Sequence, residues 1–221
     1  MWETLCVPQS LSPVYIDIPG HGKKINSHCP SSLLEIAQLI GNEIHDLDFQ
    51  IIGHSMGGYL IGSLLQLGFR PKKIGLFHSK LNQDNEEKRQ QRERAIQLVQ
   101  ENHSLYVRTM ISNLFSPQWK DSHSSSMENL ILQAQKISVS TIVNCHTAMR
   151  DRANAIDLVK SLEIPCFYFA GQEDQSIPIA QIDDEVMQLQ PFAHLTTVPS
   201  IGHMGQWENA SRAQKWVLAN F

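Results

Sequence analysis

The stretch 53–58, with the sequence Gly-His-Ser-Met-Gly-Gly, decides the fold of this 221-residue chain. An apolar run, 49–52, precedes it, and residues 59–65 have the apolar spacing of a buried helix. Gly-x-Ser-x-Gly between a strand and a helix is typical of a nucleophile elbow, a sharp turn that holds a serine in a strained backbone conformation. The flanking glycines are expected to let the neighbouring backbone pass without a Cβ clash. Ser55 would then stand at a helix N-terminus, where backbone N–H groups favour an anionic intermediate.

The composition restricts the classes of partner. The formal net charge of −4 leaves no basic excess to attract a nucleic-acid backbone, and the densest charged run, 84–101, mixes both signs. No apolar run approaches the length needed to cross a membrane, and residues 1–4 do not begin a secretion signal. We therefore expect a cytoplasmic protein with neither a nucleic-acid nor a membrane partner.

The cysteines and histidines do not form a recognisable metal motif. None of the ten histidines is spaced as His-x-His or His-x-x-x-His, so neither a metal nor a cofactor is expected. The cysteines are too far apart for a zinc or thioredoxin-like motif, and reduced, partly buried thiols are expected at all four, Cys6, Cys29, Cys145 and Cys166.

The first third of the chain alternates between strands and helices. Pro13–Ile18 is predicted as a buried strand closed by the turn 19–22, and an apolar stripe over 33–44 predicts a helix. Residues 46–52 form the strand that leads into the elbow, and 71–77 is predicted as the next strand. This alternation predicts a parallel sheet with helices on its faces.

The alternation stops between residues 78 and 164, where helical stretches and no strand are predicted, beginning with a long charged helix over 82–103. The fold class is therefore α/β, a mostly parallel sheet flanked by helices with an inserted helical cap. Strands are predicted again at 165–170 and 193–198, and helices at 179–189 and 208–221. The expected divisions are a first core part, 1–79, a helical cap, 80–162, and a second core part, 163–221.

A serine hydroxyl is a poor nucleophile until a base takes its proton, so the elbow predicts a histidine and an orienting carboxylate. The loop 171–178, after a strand, carries Asp174, and the last strand leads into a loop that carries His203. Both loops follow the carboxyl ends of strands, as the elbow does, where open parallel sheets place their sites. Glu173 or Asp184 would be the acid if the first loop folds differently.

These motifs together resemble the α/β-hydrolase superfamily, in particular the small capped esterase-like members often labelled pimeloyl-ACP methyl ester carboxylesterase-like. The resemblance covers nearly the whole chain. It is carried by Asp-Ile-Pro-Gly-His-Gly at 17–22, the elbow at 53–58, the loop 171–178 and Gly202-His203.

The resemblance implies a role for each matching residue. Ser55 is the nucleophile, Asp174 the acid and His203 the base, and the Met56 N–H is one donor of the oxyanion hole. Apart from the resemblance, their positions in the chain make five residues candidates to line the pocket: His78, Trp119, His146, Met149 and Met204.

Several other side chains have two interpretations. His54, just ahead of the nucleophile, is expected to be a packed structural histidine. His78 lines the pocket or packs in its loop, and 150–152 is expected to be a surface or salt-bridged turn. Apolar cap residues either shape an acyl pocket or pack the cap on the sheet: Leu105, Met110, Leu114, Phe115 and Trp119.

The N-terminal part departs from the family pattern, which places a strand and a His-Gly loop, the source of the second oxyanion donor, before the segment 17–22. One account is that Met1 is internal to a longer or degenerate gene product, and residues 1–3 resemble the helix after such a loop. The other is that His21-Gly22 supplies the donor and Val14–Ile18 lies beside the elbow strand. The first is favoured because 17–22 matches the family's later motif.

The sequence therefore predicts a serine hydrolase that cleaves a small-molecule carboxylic ester or thioester through an acyl-enzyme. The alternative is an N-terminally truncated or catalytically weak scaffold that binds a small ligand.

Overall fold

A parallel sheet forms the centre of the molecule. The computed structural model describes residue 5 and residues 7–44 and 48–221. The described strands pair in chain order, all parallel, so each is joined to the next by a crossover connection. They are β1 (Ile51–His54), β2 (Ile74–Phe77), β3 (Cys166–Gly171) and β4 (Ala193–Val198).

Helices cover both faces of this sheet, which confirms the predicted architecture. Adjacent residues of a strand point to opposite faces, so Leu76 and Tyr168 belong to one apolar cluster while Phe77 and Phe169 belong to the other. The larger cluster includes residues of five helices: α1 (Leu33–Gly41), α2 (Met56–Gln66), α7 (Val139–Arg150), α8 (Ile156–Leu162) and α9 (Ile179–Gln188). The smaller one packs against the C-terminal helix, and its Phe77 and Phe169 rings stack with centroids 4.5 Å apart.

The described residues between β2 and β3 contain helices and no strand, as expected. They form α3 (Glu86–Glu101), α4 (His103–Asn113), α5 (Pro117–Ser122), α6 (Ser124–Ala134) and α7 (Val139–Arg150), followed by α8. Helix α5 was not predicted, although its signal is present: the Ser116 hydroxyl accepts from the Trp119 N–H, and a proline occupies the first helical position. No helix in the described ranges combines the length and apolarity that a membrane span requires.

The predicted strand at Pro13–Ile18 is wrong, because the segment is irregular. Val14 is 76% exposed, so the apolar run is not buried as a strand core would be. The Asp17 carboxylate accepts from the Lys23 N–H and closes the chain into a local turn. The account that places this segment beside the elbow strand is therefore wrong as well.

The predicted C-terminal helix over 208–221 is interrupted. It consists of α10 (Gly205–Glu208) and α11 (Ala210–Asn220), separated by Asn209, whose φ of −149° breaks the helical path. The Asn209 side chain then accepts from the Arg212 N–H and caps α11. Three predictions fall wholly or partly outside the described residues: the helix start at 1–3, the thiol of Cys6, and positions 46 and 47 of the elbow strand.

Candidate active site

Ser55 occupies the turn between β1 and α2 in a conformation that L-residues rarely adopt. Its φ of 50° and ψ of −117° lie outside the regions favoured for serine. The Ser55 N–H donates to the Phe77 carbonyl at 3.1 Å and so extends the β1–β2 ladder by one residue. Its own carbonyl accepts from the Gly58 N–H at 2.9 Å, which begins the first turn of α2. The strained backbone is therefore held from both sides.

The two glycines that flank the serine have different reasons to be glycine. A Cβ on Gly53 would lie 2.4 Å from the backbone of Gly57, so the chain has no room for a side chain there. A Cβ on Gly57 would meet no heavy atom within 4 Å among the described residues. The expected close approach is thus met by Gly53, and Gly57 contributes its backbone only.

The Asp174 carboxylate is buried in the loop after β3 and accepts four hydrogen bonds. Its Oδ1 accepts from the N–H groups of Ser176 at 2.8 Å and Ile177 at 3.0 Å. Its Oδ2 accepts from His203 Nδ1 at 2.7 Å and from His78 Nδ1 at 3.1 Å. The loop geometry therefore orients this carboxylate toward the histidines, whereas Glu173 and Asp184, the other candidate acids, are exposed.

His203 lies in the loop after β4 and is 3% exposed. The backbone N–H of His203 donates to the Leu114 carbonyl at 2.7 Å, which joins the loop after β4 to the end of α4. The Glu208 carboxylate accepts from the N–H groups of Gly202 at 3.0 Å and Met204 at 3.2 Å, the residues on either side. These bonds fix the backbone on both sides of the imidazole.

His54 connects the elbow to the loop after β4, which carries His203. Its Nε2 lies 2.9 Å from the His203 carbonyl oxygen, and because a carbonyl only accepts, this nitrogen carries the proton. Burial, with His203 and His78 close by, lowers the pKa of His54 well below its usual value. A neutral His54 therefore binds the backbone of the loop that carries His203, as a structural histidine would.

The charge state of Asp174 follows from its neighbours. Burial alone would raise the pKa of this carboxyl, but His203 and His78, through charge and hydrogen bonds, hold the pKa of Asp174 well below its usual range. Asp174 is therefore ionised at neutral pH. An ionised carboxylate beside Nδ1 keeps the proton of His203 on that nitrogen and leaves Nε2 free to act as a base.

The same atoms also match the ligand types of a metal site. One ligand atom each from His78, Asp174 and His203 lies within 4.8 Å of the others. Gly205 N–H, however, donates to His78 Nε2 at 3.2 Å, so in the neutral ring Nδ1 must carry the proton and point it at Asp174. We therefore interpret the group as a hydrogen-bonded cluster.

The other predicted pocket residues lie in three places. Trp119 and Met204 share an apolar cluster with Phe115, and the Trp119 ring stacks on Phe115 with centroids 4.2 Å apart. His146 pairs through Nε2 with the Tyr106 hydroxyl. Met149 packs against the larger core cluster. Met204 directly follows His203 in the chain, whereas His146 and Met149 lie on α7.

The segment 150–152 is salt-bridged, one of the two forms expected for it, but Arg152 is buried. Arg150 and Asp151 do form an exposed pair, but Arg152 is 7% exposed and lies 3.9 Å above the Tyr59 ring. It pairs with Asp84 Oδ1 at 2.9 Å, and Arg92 pairs with Oδ2 of the same carboxylate at 2.6 Å. This buried network was missed because an arginine ends up buried only where a distant carboxylate receives it.

Comparison with known proteins agrees with this geometry at the level of fold. No protein-family model and no curated protein matches the chain. Solved structures do match, at identities that show the fold alone. An esterase from Thermogutta terrifontis is 19% identical, with a TM-score of 0.76 over 92% of this chain and 76% of its own. The α/β hydrolase MGS-M2 from a Medee basin deep-sea metagenome library is 18% identical, with a TM-score of 0.79 over 93% and 77%.

MenH from S. aureus is a third neighbour, at 16% identity and a TM-score of 0.77 over 92% of this chain and 80% of its own. The neighbours are therefore esterases and other α/β hydrolases, and this chain has the α/β-hydrolase fold.

Proposed function

We propose that this protein is a serine hydrolase that cleaves a small carboxylic ester or thioester. The observation that carries the proposal is the 2.7 Å hydrogen bond between Asp174 and His203, in loops that end at the same sheet edge as the strained Ser55. Nucleophile, acid and base in that order along the chain are the arrangement that acyl transfer on this fold requires. The esterases among the structural neighbours support the same chemistry.

The mechanism follows from the hydrogen bonds. Asp174 accepts the Nδ1 proton of His203, so Nε2 takes the proton of the Ser55 hydroxyl as the hydroxyl oxygen attacks the acyl carbon. Met56 opens α2, ahead of the first intrahelical donor, Gly58, so its N–H is available to the tetrahedral oxyanion. His203 then protonates the leaving group, and a water activated by the same imidazole releases the acid from the acyl-enzyme.

The helices between β2 and β3 form the cap of the proposed enzyme, 80–162, between the core parts 1–79 and 163–221. The cap shapes the acyl pocket and excludes water. Phe115 and Trp119 support a small or medium apolar acyl group, since they lie in the same apolar cluster as Met204, the residue after the base. Leu105 does not contribute, because it is 52% exposed.

A second candidate is a scaffold that binds a small ligand with little turnover. The observation that favours it is the open edge of β1, which pairs with β2 on one side and with no described strand on the other. In the resembling family that edge carries the strand and loop of the second oxyanion donor. Loss of one such donor costs about 10² to 10³ in turnover.

The proposed setting is the cytoplasm, with a small-molecule substrate and no cofactor. Free thiols support a reducing compartment, and the described cysteines Cys29, Cys145 and Cys166 are all free and buried.

The proposal is tested by the hydrolysis of p-nitrophenyl acetate and butyrate by the purified protein and two serine variants. Ser55→Ala should abolish hydrolysis, since nothing else supplies the attacking oxygen. Ser211→Ala, on the exposed side of α11, is the matched control and should keep full activity. Circular dichroism checks that both variants are folded. Undiminished hydrolysis in a folded Ser55→Ala protein would rule out the assignment, and no hydrolysis by the unaltered protein would favour the scaffold.

A further inference from the structure

We propose that His78 is a positioning residue of the active site, a second imidazole that holds the Asp174 carboxylate in place for His203. The inference rests on the proposed function for its catalytic consequence, whereas the hydrogen-bond arrangement behind it stands by itself. It goes beyond the sequence-based interpretation of His78, which was pocket lining or loop packing.

The backbone directs the His78 ring into the site. The residue follows the last residue of β2, has a φ of 46°, and is 0% exposed. Its N–H donates to the Phe169 carbonyl at 2.8 Å, so the strand ladder continues to this point. A positive φ is unfavourable for a non-glycine residue and persists only where the surrounding structure holds it. Here the hydrogen bonds of the ring to Asp174 and Gly205 hold His78 in this conformation.

The protonation state of the ring follows from its two partners. The Gly205 N–H can only donate, so His78 Nε2, at 3.2 Å, is the acceptor. In the neutral ring the proton is then on Nδ1, which donates to Asp174 Oδ2 at 3.1 Å. Burial lowers the pKa of His78, against the effect of Asp174, which agrees with a neutral ring. His78 is therefore a fixed donor to the acid and a fixed acceptor for the loop of the base.

Gly205 approaches the His78 ring so closely that a side chain would not fit there. A Cβ added to Gly205 would lie 2.6 Å from His78 Nε2 and 2.8 Å from the Phe169 ring. Gly205 is two residues beyond His203 and begins α10. One imidazole thus joins the ends of β2, β3 and β4: its own loop, the acid loop through Asp174, and the base loop through Gly205.

The consequence for Asp174 lies in how its two oxygens are shared. Oδ1 is held by the backbone of residues 176 and 177, and Oδ2 receives both imidazoles. Without His78, Oδ2 keeps one side-chain donor, and rotation of the carboxylate away from its present position is opposed only by the two backbone bonds to Oδ1 and by His203 itself. The charged and titratable groups that surround the His78 ring are His54 from β1, Asp174, His203 and Glu208 from α10.

The test compares substitutions that keep different parts of the ring. In His78→Asn the amide nitrogen replaces Nδ1 and still donates to Asp174, whereas His78→Phe keeps the shape of the ring and donates nothing. We expect His78→Phe to lower kcat for p-nitrophenyl butyrate by about 10- to 100-fold, with KM little changed. The same range is typical of hydrogen-bond partners that orient metal-ligating side chains. His78→Asn should restore kcat to within a few-fold of the unaltered protein. Equal kcat values for His78→Phe and the unaltered protein would overturn the proposal.

A third substitution keeps the test decisive if His78→Phe does not fold. His78→Gln matches His78→Asn in polarity, but its amide lies at the Nε2 position and is directed at Gly205 instead of Asp174. The proposal requires His78→Asn to be the more active of the two at equal thermal stability. The reverse order would show that the ring serves only to fill space or to hold Gly205.

A measurement without turnover separates this inference from the proposed function. Nitrogen-15 spectra of the histidine side chains in the full chain should show His78 protonated on Nδ1 and unprotonated on Nε2 at pH 7. The opposite tautomer, or a doubly protonated ring, would overturn the arrangement. If the tautomer is as expected and Ser55-dependent hydrolysis is absent, the hydrogen-bond arrangement stands while the hydrolase proposal and the catalytic consequence for His78 fail.

Discussion

Two buried carboxylates near β3, those of Glu185 and Asp174, each accept several hydrogen bonds, yet their pKa values are shifted in opposite directions. Glu185, on α9, is 0% exposed, and its oxygens accept from the N–H groups of Leu81 and Asn82 and from the Tyr168 hydroxyl. Asp174 is 5% exposed and accepts from two N–H groups and two imidazoles. Burial raises the pKa of Glu185 despite its donors, whereas the pKa of Asp174 is held well below its usual range.

The difference shows what the imidazoles contribute. Neutral donors satisfy a buried carboxylate but offset only part of its desolvation, so Glu185 fastens the segment after β2 to α9 while its pKa stays above the usual value. An imidazole can take up a proton and a positive charge, and it then gains from a carboxylate that stays ionised. Of the two carboxylates, only Asp174 is therefore suited to orient an imidazole and to stabilise it when it takes up a proton.

The largest expected effect is that of Asp174→Asn on activity. The amide would present N–H groups to His203 Nδ1, so the imidazole would adopt the tautomer with its proton on Nε2, where a base is needed. A fall of about 10⁴ in kcat is expected for this loss. The assay is p-nitrophenyl butyrate hydrolysis, and Glu173→Gln, an exposed neighbour in the same loop, is the matched control. Comparable activity in Asp174→Asn and Glu173→Gln would contradict the assigned role of Asp174.

Glu185→Gln should affect stability instead. The amide keeps one acceptor oxygen where Glu185 has two oxygens receiving three donors, so one or more donors lose their partner. We expect the free energy of unfolding to fall by about 1 to 3 kcal/mol, as measured by urea denaturation. The kcat of the folded variant should remain within a few-fold of the unaltered protein. A loss as large as that of Asp174→Asn would mean that the two carboxylates are not functionally distinct.

The pH dependence of stability should separate the two carboxylates by sign. Asp174, with a lowered pKa in the folded state, stabilises the fold above its unfolded value of about 3.9 and loses this contribution as pH falls below it. Glu185, whose pKa is raised in the folded state, destabilises the fold above its unfolded value of about 4.3, because its charge is buried. This destabilisation disappears as the pH falls through the folded pKa of Glu185.

The measurement is urea denaturation from pH 7 to pH 3 of the unaltered protein and both amide variants. The stability advantage over Asp174→Asn should shrink toward acid pH, and the advantage over Glu185→Gln should grow. Parallel pH dependences would contradict the comparison.

The sequence predicted the parts of the site that depend on strand ends. The bounds of β4 agree with the prediction, and the loops that carry Asp174 and His203 follow strands whose apolar runs are easily recognised. In a parallel sheet such loops meet at one edge, so chain order and strand direction suffice to bring these two residues together. The elbow was identifiable because its sequence pattern is local and also follows the end of a strand.

What the sequence did not predict depends on contacts between distant segments. His78 and Asp174 lie 96 positions apart, and their hydrogen bond follows from the β2–β3 pairing and from the rotamers of both side chains. Arg152 is likewise buried because Asp84 receives it. The false strand at Pro13–Ile18 is the opposite case, because its apolar run met the local criteria but pairs with no strand in the part of the chain that the structure describes.

The most direct test of the proposed chemistry is the reaction of the purified protein with a fluorophosphonate probe, followed by peptide mapping. Only a serine whose oxygen is activated by an imidazole reacts rapidly with this electrophile. We predict one labelled peptide, modified at Ser55, with labelling abolished in Ser55→Ala, strongly slowed in Asp174→Asn and unchanged in Ser211→Ala. An unlabelled protein, or a label on another serine, would contradict the assignment of Ser55 as the nucleophile.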